Sequence, residues 1–197
     1  MLLQYIIKAE TPQDIEAQAR KALEEGVNWI EIFAPEDMDD TTVKGIVEKL
    51  RPALAEKGAV LILAERPELA KEVEADGVHV YSTAERPVSA VRVAVDAWPI
   101  IGVSVYSLQD VVALRSSDID YMYYCADGTP ESLETLYEMA HWLDMEAVDK
   151  PLVVGGDVSG ANVEMYVQKG AAAVATSRLD DVPALLHFTA NLVQENV

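Results

Sequence analysis

Basic residues and cysteine are scarce in this chain. Fifteen Lys and Arg stand against 34 Asp and Glu, a formal charge of −19. That balance argues against nucleic acid as a partner, because phosphate backbones are held by clustered cations. Any anionic ligand must be met by a local concentration of donors that overrides a repulsive overall field. The one cysteine, Cys125, rules out an internal disulfide and fits a reducing compartment. No apolar run approaches the roughly 18 residues of a membrane span. The N-terminal Met-Leu-Leu-Gln-Tyr also lacks a basic segment followed by a cleavage site. A soluble, cytoplasmic protein with no membrane partner is expected. There is no P-loop, no GxGxxG, no metal-spaced His/Cys cluster and no Pro/Gly/Ser linker. One domain over residues 1–197 is the economical expectation.

What is present is a unit, a short apolar run followed by an amphipathic helix, repeated about eight times. Strands are expected near 2–8, 29–34, 59–65, 78–81, 100–106, 119–125, 152–155 and 172–176. Several are apolar on both faces, as strands buried between a barrel core and an outer helix layer must be. Ile15, Ala19, Ala22 and Leu23 repeat at helical spacing behind a Thr11/Asp14 capping box. Val43, Ile46, Val47 and Leu50 do so after Thr41 or Thr42, and Thr129-Pro130 reads as an N-cap with proline at the first helical position. Leu185, Leu186, Leu192 and Val193 give the last helix a buried stripe. Gly26, Gly58, Gly77 and Gly170 each stand just before a strand as helix ends. Strand–helix alternation favours a parallel α/β fold, and eight units favour a closed (β/α)₈ TIM barrel. The 197 residues are short beside the about 250 usual for that fold.

The run Lys150-Pro-Leu-Val-Val-Gly-Gly-Asp157 reads as a buried strand ending in a glycine pair. A helical stretch to Gly170 follows, then a small-residue strand ending Thr176-Ser-Arg178. Loops after the last two strands of a barrel commonly hold phosphate. Gly155, Gly156, Ser177 and Arg178 are therefore the candidate phosphate ligands. The competing reading makes the glycine pair a tight turn and Arg178 a solvated charge beside Asp180 and Asp181.

The other strand ends are Lys8, Glu31 with Phe33, Glu65 with Arg66, His79 with Tyr81, Ser104 with Tyr106, and Cys125 with Asp127. Glu65 is a candidate Mg²⁺ ligand and Arg66 a candidate phosphate clamp; otherwise they are an ion pair flanking Pro67. His79 reads as a hydrogen-bonded core residue or as a ligand or base. Ser104 reads as a donor to a phosphate or ring nitrogen, or as a hydroxyl satisfied by backbone. Tyr106, Tyr121, Tyr123 and Tyr124 offer stacking for a planar ring, with part of the set turned outward to pack. The spacing discloses no nucleophile–base pair: Cys125 has no His near it in the pattern.

In order and spacing these strand ends resemble the thiamine phosphate synthase family and its thiazole tautomerase branch. The matching pieces are Gly77-Val-His-Val, Ile101-Gly-Val-Ser-Val-Tyr106, Asp120-Tyr, Pro151-Leu-Val-Val-Gly-Gly, Asn162-Val, Gly170-Ala and Val174-Ala. The resemblance implies a barrel that uses Mg²⁺ to join a hydroxymethylpyrimidine diphosphate to a thiazole phosphate, releasing pyrophosphate. Against it, the second strand ends Glu31-Ile-Phe-Ala-Pro-Glu36 where the family carries a Gln-x-Arg-x-x-Lys-like set. The third ends Ala64-Glu65 in place of Asn-Asp. A metal-binding Asp falls at Ala84, leaving Glu85 as a substitute metal ligand, and Cys125-Ala-Asp-Gly replaces Thr-x-Thr-Lys. Tyr106 stands where the tautomerase branch has its His. Each missing charge-assisted phosphate contact removes about 1.5–3 kcal/mol of binding.

The reading is thus a thiamine phosphate synthase-like transferase that takes a phosphorylated small molecule, with Mg²⁺ on Glu65 and Glu85. Arg66 and Ser104 position the diphosphate. Gly155, Gly156, Ser177, Arg178, Glu31, His79 and Tyr106 line the ligand site, and a homodimer is the default assembly. The alternatives are an isomerase on a thiazole or sugar phosphate, with Glu31, His79 or Tyr106 moving the proton, and a family member that binds without turnover.

Overall fold

Eight parallel strands close into a barrel in chain order. They are β1 (Leu3–Ile7), β2 (Trp29–Ile32), β3 (Val60–Ala64), β4 (Gly77–Val80), β5 (Ile100–Ser104), β6 (Tyr121–Ala126), β7 (Leu152–Gly156) and β8 (Ala173–Thr176). The helices between them are α1 (Pro12–Glu25), α2 (Asp40–Lys57), α3 (Pro67–Glu72), α4 (Val88–Val95), α5 (Leu108–Leu114), α6 (Pro130–Met145) and α7 (Val163–Gln168). A 3₁₀ turn (Leu179–Asp181) leads into α8 (Val182–Glu195). This computed structural model describes residues 2–83, 86–96 and 99–195. Ala84, Glu85 and the side chain of Val193 lie outside that description. The expected (β/α)₈ barrel is what forms. It closes within 197 residues because α3, α5 and α7 run for only six, seven and six residues.

Local signals place most element ends. Thr11 caps α1 by accepting from Asp14 N, and Gly26 closes it at φ 104. Thr129 caps α6 with Pro130 at its first position. Two expectations are corrected. The cap of α2 is Asp39, which accepts from Thr42 N at 2.8 Å, rather than Thr41 or Thr42. Gly77 does not end a helix: it opens β4, where a Cβ would lie 2.4 Å from the Ile100 carbonyl oxygen. Among the described residues no helix is long and apolar enough to cross a membrane.

The period-two alternation of the strands divides two cores. Leu3, Tyr5, Ile7, Ile30, Ile32, Leu61, Leu63, Val78, Val80, Ile101 and Val103 pack with the helices. Ile6, Tyr121, Tyr123, Val153, Ala173 and Ala175 form the inner cluster, joined by Trp29, Phe33, Tyr81 and Ile100. Large rings on one strand meet glycines on the strand beside it. A Cβ at Gly102 would lie 2.0 Å from a Tyr121 ring carbon, and one at Gly155 would lie 2.3 Å from the Tyr123 hydroxyl. Gly102→Ala should therefore overpack the barrel and cost about 3 kcal/mol. The check is a melting temperature lower by about 6–12 °C; an unchanged midpoint would mean that Tyr121 does not fill that space.

Candidate active site

The inward-facing polar side chains meet in one buried network. Gln4, Glu31 and His79 are fully buried, and Ser104 is 8% exposed. Glu31 accepts from three donors: Gln4 Nε2 at 2.7 Å, His79 Nδ1 at 2.9 Å and the Tyr81 hydroxyl at 2.8 Å. On its other side the His79 ring places Nε2 3.1 Å from Ser104 Oγ. A buried carboxylate without such partners would be prohibitive; three donors make this one tolerable. A carboxylate only accepts, so Nδ1 donates to Glu31, and in the neutral imidazole Nε2 then accepts from the Ser104 hydroxyl.

Above this layer lie rings. Tyr81 stacks on His79 with centroids 4.2 Å apart, Phe33 meets Tyr81 edge-on at 4.9 Å, and Tyr123 meets His79 edge-on at 5.1 Å. Burial first and the Glu31 carboxylate second push the Tyr81 hydroxyl far above its ordinary pKa, which keeps it a donor. Burial, then the neighbouring Cys125, does the same to Tyr123. Of the expected aromatic set, Tyr121 and Tyr123 face inward. Tyr124 turns outward to Ser132, and Tyr106 stays at the rim, 63% exposed, its hydroxyl donating to Tyr81 O at 2.7 Å.

Lys8 crowns the rings. Its ammonium lies 5.4 Å from the Phe33 centroid and 5.9 Å from that of Tyr81. Among the described residues it makes no ion pair. β1 is hydrogen-bonded to β8, with Tyr5 opposite Thr176, so Lys8 and the exposed Ser177 end neighbouring strands.

The remaining expected ligands are placed differently. Arg66 donates to Pro35 O at 2.9 Å, to Met38 O at 2.7 Å and to Asp40, so its guanidinium ties down the loop after β2. Arg178 reaches Val158 O at 2.8 Å, Asp157 at 3.3 Å and Asp181, one cation between two carboxylates. Gly155 is an interior packing position beneath Tyr123. Gly156 has φ 85 and no room for a side chain against Ala126 O, which only glycine meets without strain. Glu65 leaves β3 at φ 59, and its exposed carboxylate accepts from Tyr81 N.

The sequence profile of the thiamine monophosphate synthase family matches residues 3–179. The chain belongs to that family. It is 29% identical to the thiamine-phosphate synthase of Bacteroides thetaiotaomicron over 173 residues, 88% of this chain and 77% of that protein. It is also 29% identical to that of Desulfitobacterium hafniense over 168 residues, 83% and 80% of the two chains. The thiamine phosphate pyrophosphorylase structure from Pyrococcus furiosus superposes with a TM-score of 0.80 over 96% of both chains at 22% identity, a likeness of fold.

Within this thiamine phosphate synthase-like barrel, the β2 end that the resemblance fills with cations carries the Glu31 acceptor and the Phe33 ring. Sequence reasoning passed over Gln4 as a partner and gave Lys8 no role. The alternation Gln4, Ile6, Lys8 was the available signal, since it turns all three toward the barrel axis. Among the described residues no three His, Cys, Asp or Glu side chains converge on a metal position. Glu65 offers a single carboxylate at the mouth, the minimum Mg²⁺ accepts when substrate phosphates complete its shell.

Proposed function

We propose that this protein acts in thiamine biosynthesis as a thiamine phosphate synthase-like transferase, joining hydroxymethylpyrimidine diphosphate to a thiazole phosphate. The phosphate end of its ligand is held at the barrel mouth by Lys8 and the β7–β8 loops at Gly156 and Ser177. The observation that carries this reading is the Lys8 ammonium standing over the edge-on Phe33–Tyr81 pair, without an acidic partner among the described residues. A planar ring packs against one of these ring faces while its phosphate takes the cation. Arg178 would join only by exchanging a carboxylate for the ligand. Mg²⁺ would meet the protein at Glu65 and neutralise the diphosphate, arriving with it because one carboxylate holds the ion weakly alone. The protein's own share is positioning and a water-poor wall of rings, with charge stabilisation at the mouth. A cytoplasmic homodimer is the proposed setting, with no nucleic-acid partner at a charge of −19.

The test is a thermal-shift titration with thiamine phosphate, thiazole phosphate, and pyrophosphate with and without Mg²⁺, beside an assay of thiamine phosphate formation. A ligand at about 100 times its Kd adds roughly 2.7 kcal/mol, a rise of about 5–10 °C. Lys8→Met should weaken phosphate-ligand binding at least about tenfold, and Mg²⁺ should shift the midpoint only when pyrophosphate is present. Equal shifts in wild type and Lys8→Met would dismiss this phosphate site. Phosphate binding without product formation would dismiss the transferase.

A further inference from the structure

A serine on β5, a histidine on β4 and a glutamate on β2 form a continuous hydrogen-bonded line across the barrel interior. Ser104 Oγ lies 3.1 Å from His79 Nε2, and His79 Nδ1 lies 2.9 Å from Glu31 Oε2. We propose that Ser104 is an activated nucleophile, with His79 its general base and Glu31 the group that fixes the imidazole, and that the protein hydrolyses small neutral carboxylic esters. The proposal goes beyond the transferase reading and does not depend on it, since the ligand of that reading is held by Lys8 and the β7–β8 loops.

Three features support the assignment. The geometry is that of a nucleophile, a base within hydrogen-bond reach, and a third group orienting the base; such triads are recognised by this arrangement and not by chain order. The tautomer is set from outside the pair, because Glu31 is already an acceptor for Gln4 and Tyr81. The Ser104 proton is thereby directed to His79, and the oxygen lone pairs are left for an electrophile. Third, Ser104 opens onto a pocket of about 250 Å³ between the ends of β4 and β5 and helix α5. Ser82 and Thr83 line one side of it, Ala113 and Leu114 another, and Asp110 and Tyr106 close the rim. The Asp110 carboxylate disfavours an anionic substrate there, and the apolar wall suits a short acyl chain.

In the reaction Ser104 Oγ bonds to the ester carbonyl carbon as its proton passes to His79 Nε2. The carbon–alkoxy bond then breaks, and the alcohol leaves with that proton. Water, deprotonated by the same nitrogen, attacks the acyl-serine; the carboxylic acid departs, and the proton returns to Ser104.

The probes are p-nitrophenyl acetate, for turnover, and diisopropyl fluorophosphate, which loses fluoride as its phosphorus bonds to the serine oxygen. Peptide mapping of the labelled wild-type protein should place the adduct on Ser104, with loss of ester turnover in parallel. That readout does not depend on any variant folding. Glu31→Gln keeps the side chain's size but presents an N–H to His79, which turns the tautomer round. With folding verified by its melting curve, it should label and turn over about 10³–10⁴-fold more slowly. Ser104→Ala should do neither. Absence of an adduct on Ser104, labelling elsewhere at the same rate in Ser104→Ala, or wild-type reactivity in folded Glu31→Gln would each overturn the proposal. Loss of Lys8-dependent phosphate binding leaves these readouts unmoved, so the two readings fail separately.

Discussion

Glu31→Ala should remove about 4 kcal/mol of stability, lowering the melting temperature by about 8–16 °C. The carboxylate is fully buried and is the shared acceptor of Gln4, His79 and Tyr81. Truncation leaves three buried donors facing a cavity, and each unsatisfied group costs about 1–3 kcal/mol before any relaxation. Glu31→Gln should cost far less, about 1–2 kcal/mol. Gln4 Oε1 has no hydrogen-bond partner among the described residues, so its amide can rotate to accept from the new side chain. Denaturant titration of the two variants checks the pair. A mild Glu31→Ala and a severe Glu31→Gln would mean that the network does not hold the barrel interior together.

Alkaline pH should unfold the protein steeply. Burial, with the charge of Asp180 second, pushes the Tyr5 hydroxyl up to about 12. Burial first and the Glu31 carboxylate or a neighbouring group second push Tyr81, Tyr121 and Tyr123 up as well. A phenol raised in the folded state contributes stability that is fully present below its unfolded pKa of about 10 and is lost as pH climbs above it. Above that point the unfolded chain has released protons that the native chain still holds. Each such tyrosine therefore takes about 1.4 kcal/mol per pH unit, and the four together up to about 5.5 kcal/mol per unit. Denaturant midpoints at pH 9, 10 and 11 measure the fall. Tyrosinate absorbance should rise for the exposed phenols first and for these four only on unfolding. Titration of every tyrosine near pH 10 with the fold intact would contradict their burial.

The barrel was legible because each of its causes is local. Thr11, Thr129 and Gly26 mark helix ends by the hydrogen bonds their own chemistry permits, and alternate strand residues sort themselves between two faces. Gly77 misled because a glycine before a strand has two uses. A turn ending a helix and a close approach to a neighbouring strand look the same until the Ile100 carbonyl is in place. Gly155 carries a constraint of the same kind: it is small because Tyr123, 32 residues earlier, needs its space.

Site residues were identified as strand ends, but their roles depended on distances that spacing along the chain does not encode. Arg66 and Arg178 are candidate phosphate ligands by their place at strand ends, and closing the barrel brings carbonyls and carboxylates to both. The sequence disclosed no nucleophile–base pair because Glu31, His79 and Ser104 lie 48 and 25 positions apart.

The sequence by itself determined the architecture, the face each strand residue takes and the family, since all three rest on periodicity and short motifs. Only the tertiary structure decided which polar groups satisfy one another. A buried donor or acceptor takes whichever partner barrel closure brings within about 3 Å, and closure is a property of all eight strands at once.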